Sequence, residues 1–159
     1  MQNRIKFIVY GDPKGKARPR FKRLGKMTIT YTPKDTMEYE NNVRESFQKE
    51  AKKRNFKKLE GAIEVNTVSV FKIPESYSNK KKSEMIGMPV LKKPDTDNII
   101  KSVLDPLNGI AYDDDSQVCK VTGYKYYGLD PRVEVTIKQF TNAIQPIQFI
   151  DCVQPIRFL

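Results

Sequence analysis

The sequence predicts a single α+β domain with a mixed β-sheet flanked by helices. A chain of 159 residues has the length of one ordinary domain, and 38% hydrophobic content is enough for a modest core. Its periodic segments follow the order strand, helix, strand, helix, strand, strand, which is neither all-helical nor a regular βα alternation. The domain is assigned to residues 1–140, with 141–159 as a C-terminal tail.

Residues 4–10 alternate charged and apolar side chains and turn at Gly11-Asp12-Pro13, which marks a first strand. A long basic loop follows, running through Lys14-Gly15-Lys16-Ala17-Arg18-Pro19-Arg20-Phe21-Lys22-Arg23 to Thr32-Pro33. A helix is expected over 36–54, where Tyr39, Val43, Phe47 and Ala51 recur every four residues as an apolar stripe. Residues 61–73 place Ile63, Val65, Thr67, Ser69 and Phe71 on one parity, with Val68 and Val70 on the other, so they read as a well-buried strand ended by Pro74. Residues 75–93 contain Lys80-Lys81-Lys82 and no clear period, and read as a mobile surface loop. From Asn98 a second helix is expected, because Ile100, Val103, Leu104 and Leu107 keep helical spacing. Asn108-Gly109 stops it, and Pro106 kinks or shortens its last turn. Residues 118–127 and 132–140 then read as two strands joined through Gly128-Leu129-Asp130-Pro131 in an antiparallel hairpin.

The net charge of +10 is unevenly spread. Residues 1–93 hold 23 Lys or Arg against 10 Asp or Glu, while residues 94–159 hold 6 against 9. A basic first half feeding an acidic second half suits a metal-dependent enzyme acting on a polyanion, because cations attract phosphates while carboxylates retain the metal. The chain has no histidine, which removes the usual general base and the usual zinc ligand, and two cysteines are too few for a structural zinc site. The N-terminus offers only the apolar run Phe7-Ile8-Val9-Tyr10, far short of a signal-peptide core or membrane span. A cytoplasmic protein without membrane contact is expected, with Cys119 and Cys152 as reduced thiols. The stretch from Val9 to Ala17 superficially resembles a nucleotide-binding loop. It has one residue too few between its glycines, and Ala17 stands where Ser or Thr would bind magnesium, so an ATPase is excluded.

The suggestive carboxylates fall in one stretch: Lys93-Pro94-Asp95-Thr96-Asp97-Asn98 and then Asp113-Asp114-Asp115-Ser116-Gln117. Asp95 and Asp97, two residues apart, share a face only if the segment is extended, and Asp97 is placed to cap the helix starting at Asn98. Capping accounts for one aspartate but not for both. Lys101 follows one helical turn after Asp97, either as a salt-bridge partner of Asp97 or Asp105 or as a cation that neutralises charge on a phosphate oxygen. Three adjacent aspartates repel unless a cation offsets them. All-oxygen donors point to magnesium, with manganese as the alternative.

These residues resemble the RusA family of Holliday-junction resolvases. The resemblance rests on Lys93-Pro94-Asp95-Thr96-Asp97-Asn98 with Lys101, on Gly109-Ile110-Ala111-Tyr112, and on Asp114-Asp115-Ser116-Gln117. It extends to Gly15-Lys16 with Arg18-Pro19-Arg20, to Tyr31-Thr32-Pro33 and to Pro131-Arg132-Val133-Glu134-Val135, roughly residues 5–138. It implies a Mg²⁺-dependent homodimeric endonuclease that cuts paired strands of a four-way DNA junction. The family's metal ligands fall on Asp95, Asp97 and Asp115, with Asp114 as the second choice, and its essential lysine falls on Lys101. Lys14, Lys16, Arg18 and Arg20, together with Lys80, Lys81 and Lys82, are assigned to backbone phosphates. Asp113 is a third acid beyond the family's usual pair. A non-catalytic nucleic-acid-binding protein is the rival from another class, and a nuclease of the same fold acting on forks, flaps or duplex is a third reading. In the tail, Gln145-Pro146-Ile147-Gln148-Phe149 is echoed by Gln154-Pro155-Ile156-Arg157-Phe158, which packs on the domain or a second subunit or else docks a protein partner.

Overall fold

The computed structural model describes residues 4–25 and 27–140; the C-terminal tail, its sequence echo and Cys152 lie outside the described residues. Four strands and a helix fall where the periodicity placed them: β1 (Arg4–Tyr10), a long helix α1 (Lys34–Arg54), and strands at Ile63–Lys72, Val118–Gly128 and Arg132–Gln139. Two elements lie inside segments read as loops. Arg20–Leu24 (β2) and Met27–Tyr31 (β3) pair antiparallel across a two-residue turn led by Gly25, whose φ of +62° suits glycine. The segment 75–93 contains a short helix α2 (Asn79–Met85), whose Ser78 side chain accepts from the Lys81 N–H. Neither element buries a residue, so neither leaves an apolar period in the sequence.

With Ile63–Lys72 as β4, Thr96–Leu104 as α3, Val118–Gly128 as β5 and Arg132–Gln139 as β6, the main sheet has the order β1-β6-β4-β5. The mixed sheet is therefore present, but the expected β5/β6 hairpin is not. β6 inserts between β1 and β4, antiparallel to both, while β5 lies on the other side of β4 and parallel to it. Val133, Val135 and Ile137 of β6 are fully buried, and a strand that apolar is satisfied at the sheet's centre rather than at its edge. The connection from Gly128 to Arg132 has only to span two strand spacings, roughly 10 Å, within reach of three linking residues. Because β4 and β5 are parallel, the chain must recross the sheet between them, and that crossover carries the aspartate motif.

One face of the sheet is the core. Ile5, Phe7 and Val9, Ile63 and Val65, and Val133 to Ile137 meet Tyr39, Val43 and Phe47 of α1 and Ile99 and Val103 of α3. Phe47 makes edge-to-face contacts with Phe7 at 5.6 Å and Phe56 at 5.8 Å between ring centroids. Pro106 closes α3 as expected, turning Asp105–Leu107 into a 3₁₀ turn. The opposite face is a ladder of ion pairs: Glu134 with Lys6 at 3.1 Å and Arg132 at 2.8 Å, Glu64 with Lys138 at 3.2 Å and Lys120 at 3.5 Å. Glu64 is only 7% exposed, and a hydrogen bond from Asn66 outweighs burial and, with Lys138 and Lys120, holds its carboxyl below the ordinary 4.5. A depressed carboxyl pKa stabilises the fold above that ordinary value and loses the contribution as pH falls through the folded-state pKa. Glu64→Gln should therefore cost roughly 1–3 kcal/mol at pH 7. The difference from wild type should shrink on acidification below pH 4.5, as read by thermal unfolding across pH.

Candidate functional site

α3 begins two residues earlier than the capping argument required. Asp95 occupies the N-cap position with extended backbone (φ −69°, ψ 152°), and Thr96 opens the helix, so Asp97 lies inside the first turn. Neither carboxylate caps: no side-chain hydrogen bond closes the start of α3. Both are exposed at the start of the helix. Lys101, one turn on, is exposed, and among the described residues no carboxylate pairs with it. The salt-bridge explanation for Lys101 thus falls away, because Asp105 is held instead by Lys16 at 2.9 Å.

The basic loop is packed directly against this helix start. The Lys16 N–H donates to the Asn98 carbonyl at 2.9 Å, and the buried Ser102 hydroxyl lies 2.7 Å from the carbonyls of both Lys14 and Ile99. Between these contacts a Cβ on Gly15 would stand 2.8 Å from the Pro94 ring and 3.2 Å from Cβ of Asn98. From β5, the Lys125 ammonium donates to the carbonyls of Lys92 at 2.6 Å and Pro94 at 2.8 Å, fixing the segment that leads into Asp95. Beneath α3, a Cβ on Gly123 would approach Thr96 within 2.7 Å, so the helix start rests almost on the strand. The pairing of the Gly-Lys and Pro-Asp motifs in one sequence therefore has a steric basis. Ser102 and Lys125, which position the motif, carried no sequence signal, being a lone hydroxyl on an apolar face and a lysine in a strand.

The second acidic run is divided by its hydrogen bonds. Asp113 forms an ion pair with Lys58. Asp114 caps the 3₁₀ turn Asp115–Gln117: its carboxylate accepts from the Ser116 N–H at 2.9 Å, and Ser116 keeps it below its ordinary pKa. The Gln117 side chain accepts from the N–H groups of Asp113 and Asp114 at 2.7 and 3.2 Å. Of these three aspartates, Asp115 alone has a carboxylate without a partner among the described residues. Its charge, with those of Asp105 and Asp114, reaches the buried Tyr112 hydroxyl, which burial above all, and then these charges, push to a raised pKa. That hydroxyl donates to the Leu104 carbonyl at 2.9 Å, so Asp115 belongs near the C-terminal end of α3 and the Asp95/Asp97 pair at its start. Among the described residues no three acids group closely enough to enclose an ion.

A cleft of about 550 Å³ opens beside Asp95, lined by Lys14, Lys16, Arg20, Lys93 and Asn98 among others. Lys93 is shared with an adjoining hollow of about 440 Å³, which in turn shares Lys72 and Glu75 with one of about 310 Å³ that reaches Lys82 on α2. Of the expected phosphate-binding residues, Lys14, Lys16, Arg20 and Lys82 thus border a connected series of hollows, and Arg18, Lys80 and Lys81 lie outside it. Their states differ. Lys14, Arg18, Arg20 and Lys80 are exposed, Lys81 lies 4.0 Å over the Tyr77 ring, and Lys16 is engaged by Glu40 and Asp105. Burial opposes the charge on Lys16, but the hydrogen bonds to Glu40 and Asp105 outweigh it and raise the pKa.

Residues 10–138, which take in the basic loop, both acidic motifs and most of the sheet, match the family model described as endodeoxyribonuclease RusA. The fold and these motifs therefore define a class, that of hydrolases cutting DNA within the strand. The chain belongs to the RusA family. It is also 36% identical over 142 residues to the uncharacterized protein YqaN of Bacillus subtilis (strain 168), covering 85% of this chain and 96% of that protein. Among the described residues no helix is long and apolar enough to cross a membrane.

Proposed function

We propose that this protein is a magnesium-dependent endodeoxyribonuclease that resolves four-way DNA junctions by paired phosphodiester hydrolysis, acting as a homodimer. The observation that carries the proposal is selective non-pairing. On a surface where Asp105, Asp113 and Asp114 are all taken up by lysines or backbone, Asp95, Asp97 and Asp115 keep carboxylates without a partner among the described residues, and Asp95 lines a basic cleft. Free carboxylate oxygens fit a hard cation in donor type. Magnesium needs no closed protein cage, because it keeps several waters and takes one or two carboxylates plus substrate phosphate. Asp95 and Asp97 would hold it; the family resemblance makes Asp115 the third ligand, with Asp114 in reserve, and in this structure Asp115 lies toward the other end of α3. The ion, with manganese as a substitute, would supply Lewis-acid activation of water and stabilise the leaving oxygen. Lys101, an unpaired cation one turn from Asp97, would neutralise charge developing on the phosphate. Lys14, Arg18, Arg20 and the lysines of α2 would hold the strands by their phosphates. A two-fold dimer would address two opposed strands of the junction, matching its pseudo-symmetry.

The test is an end-labelled four-way junction and a matched linear duplex, each incubated with Mg²⁺ or with EDTA. Paired, ligatable nicks on the junction alone, abolished by EDTA, are expected, with Mn²⁺ restoring activity. Equal cutting of duplex would remove the junction preference. Binding without cutting under any divalent ion would leave a non-catalytic DNA-binding protein.

A further inference from the structure

Apart from Arg20, the β2–β3 ribbon has no use in the mechanism above, yet it gathers five large exposed apolar side chains, Phe21, Leu24, Met27, Ile29 and Tyr31. Every residue of both strands is exposed, with Phe21 at 72%, Met27 at 67% and Leu24 at 60%. A two-stranded ribbon is at best marginally stable alone, and large apolar groups collected on one mark a binding surface. The register shows how they are collected. Arg20 opposes Tyr31, Lys22 opposes Ile29 and Leu24 opposes Met27, and directly opposed residues share a face. One face therefore carries two cations at the base and an apolar tip, while Phe21 and Arg23 stand on the other.

The occupant is indicated by charge. Between Asp12 and Asp35 the sequence holds eight Lys or Arg and no acid, and Arg20, Lys22 and Arg23 find no carboxylate partner among the described residues. Arg20 also lines the cleft beside Asp95, so the ribbon springs from the rim of the candidate site. Nucleic acid answers both halves of this surface at once, phosphates for the cations and base faces for the apolar tip. Two strands about 4.8 Å apart also fit a major groove of about 12 Å.

We infer that β2–β3 is a DNA-engaging arm whose apolar tip, Leu24 and Met27, lies against unstacked bases at the branch point and so favours branched over linear DNA. Side chains of this kind wedge between base steps in other architectures, and unpaired bases at a branch lower the cost of doing so. The inference rests on the reading of this protein as a nuclease of branched DNA.

The test uses the full chain in EDTA, with a four-way junction carrying 2-aminopurine next to the branch point and a matched duplex. Wild-type binding should raise the fluorescence. Leu24→Ser and Met27→Ser combined should remove that rise and weaken junction binding at least about tenfold. Duplex binding should stay within about twofold and the salt dependence should be unchanged, because no charge is removed. Arg20→Gln, Lys22→Gln and Arg23→Gln combined should instead lower the salt slope, by up to about 0.9 for each cation. An undiminished rise and affinity in the apolar variant would overturn the inference. So would conversion of a wild-type dimer to a monomer in sedimentation, which would place the ribbon between copies of the chain. A wild-type chain that binds and unstacks the branch but never cuts it in Mg²⁺ would overturn the nuclease reading and leave the arm standing.

Discussion

Asp97→Asn should lower divalent-dependent cleavage of a four-way junction by at least about 10²-fold while leaving junction binding equal or tighter. The amide keeps the shape of the carboxylate but gives up its charge, and with it most of its value as a ligand to a hard cation. The fold should hardly notice. Asp97 is exposed, makes no capping bond, and contributes to α3 only through its place in the first turn, about 0.3–1 kcal/mol. Removing a negative charge from the rim of a basic cleft also lessens repulsion of phosphate, hence the unimpaired binding. Asp115→Asn should behave alike. Asp114→Asn is the informative contrast, because that carboxylate is already spent on the Ser116 N–H. Asparagine caps nearly as well as aspartate, so this variant should keep cleavage within a few-fold and leave the melting temperature nearly unchanged. Steady-state cleavage, filter binding and thermal melts on the three variants check the set. Wild-type cleavage by Asp97→Asn, or a larger loss at Asp114 than at Asp115, would mean the ligands have been misassigned.

That contrast marks where sequence reasoning ends. Three consecutive aspartates look equivalent in a string, and what separates them is Lys58, 55 residues away, and the Gln117 side chain folding back on two N–H groups. The apolar periods were legible because burial writes them: Tyr39, Val43 and Phe47 of α1 and Ile63, Val65 and Phe71 of β4 all lie in the core. Elements that bury nothing wrote no such pattern, which hid β2–β3 and α2 behind their lysines. The strand partners of β5 were misread for a different reason. A short connection with Gly and Pro argues for a hairpin only when both strands can sit side by side, and β6 was too apolar to lie at an edge. The two motifs carried by the family likeness were visible from the start. That they touch was not, since the contact is made by a missing side chain.

The missing side chain is at Gly15, and Gly15→Ala should cost about 1–3 kcal/mol of stability and roughly 10²-fold in cleavage. No left-handed backbone conformation is required of Gly15, so alanine is excluded by space alone. The added methyl would meet the Pro94 ring at 2.8 Å and Cβ of Asn98 at 3.2 Å, a rigid ring and an atom fixed to the helix backbone, so neither can swing aside. The loop must lift instead. Lifting stretches the Lys16 N–H bond to Asn98 and the contact between Lys14 and Ser102, and it pulls Lys16 from Asp105. Asp95 is then displaced relative to the cations across the cleft, and a shift of about 1 Å in a positioned group is enough for a loss of this size. Gly61→Ala provides the comparison: nothing lies within 4 Å of its Cβ, and its cost comes from a φ of +71° in the turn before β4, far from Asp95 in the chain. Comparable melting shifts in the two variants, with cleavage lost only at Gly15, would separate positioning of the aspartates from a general loss of fold. Equal loss of cleavage in both would mean that the Gly15 contact does no more than stabilise.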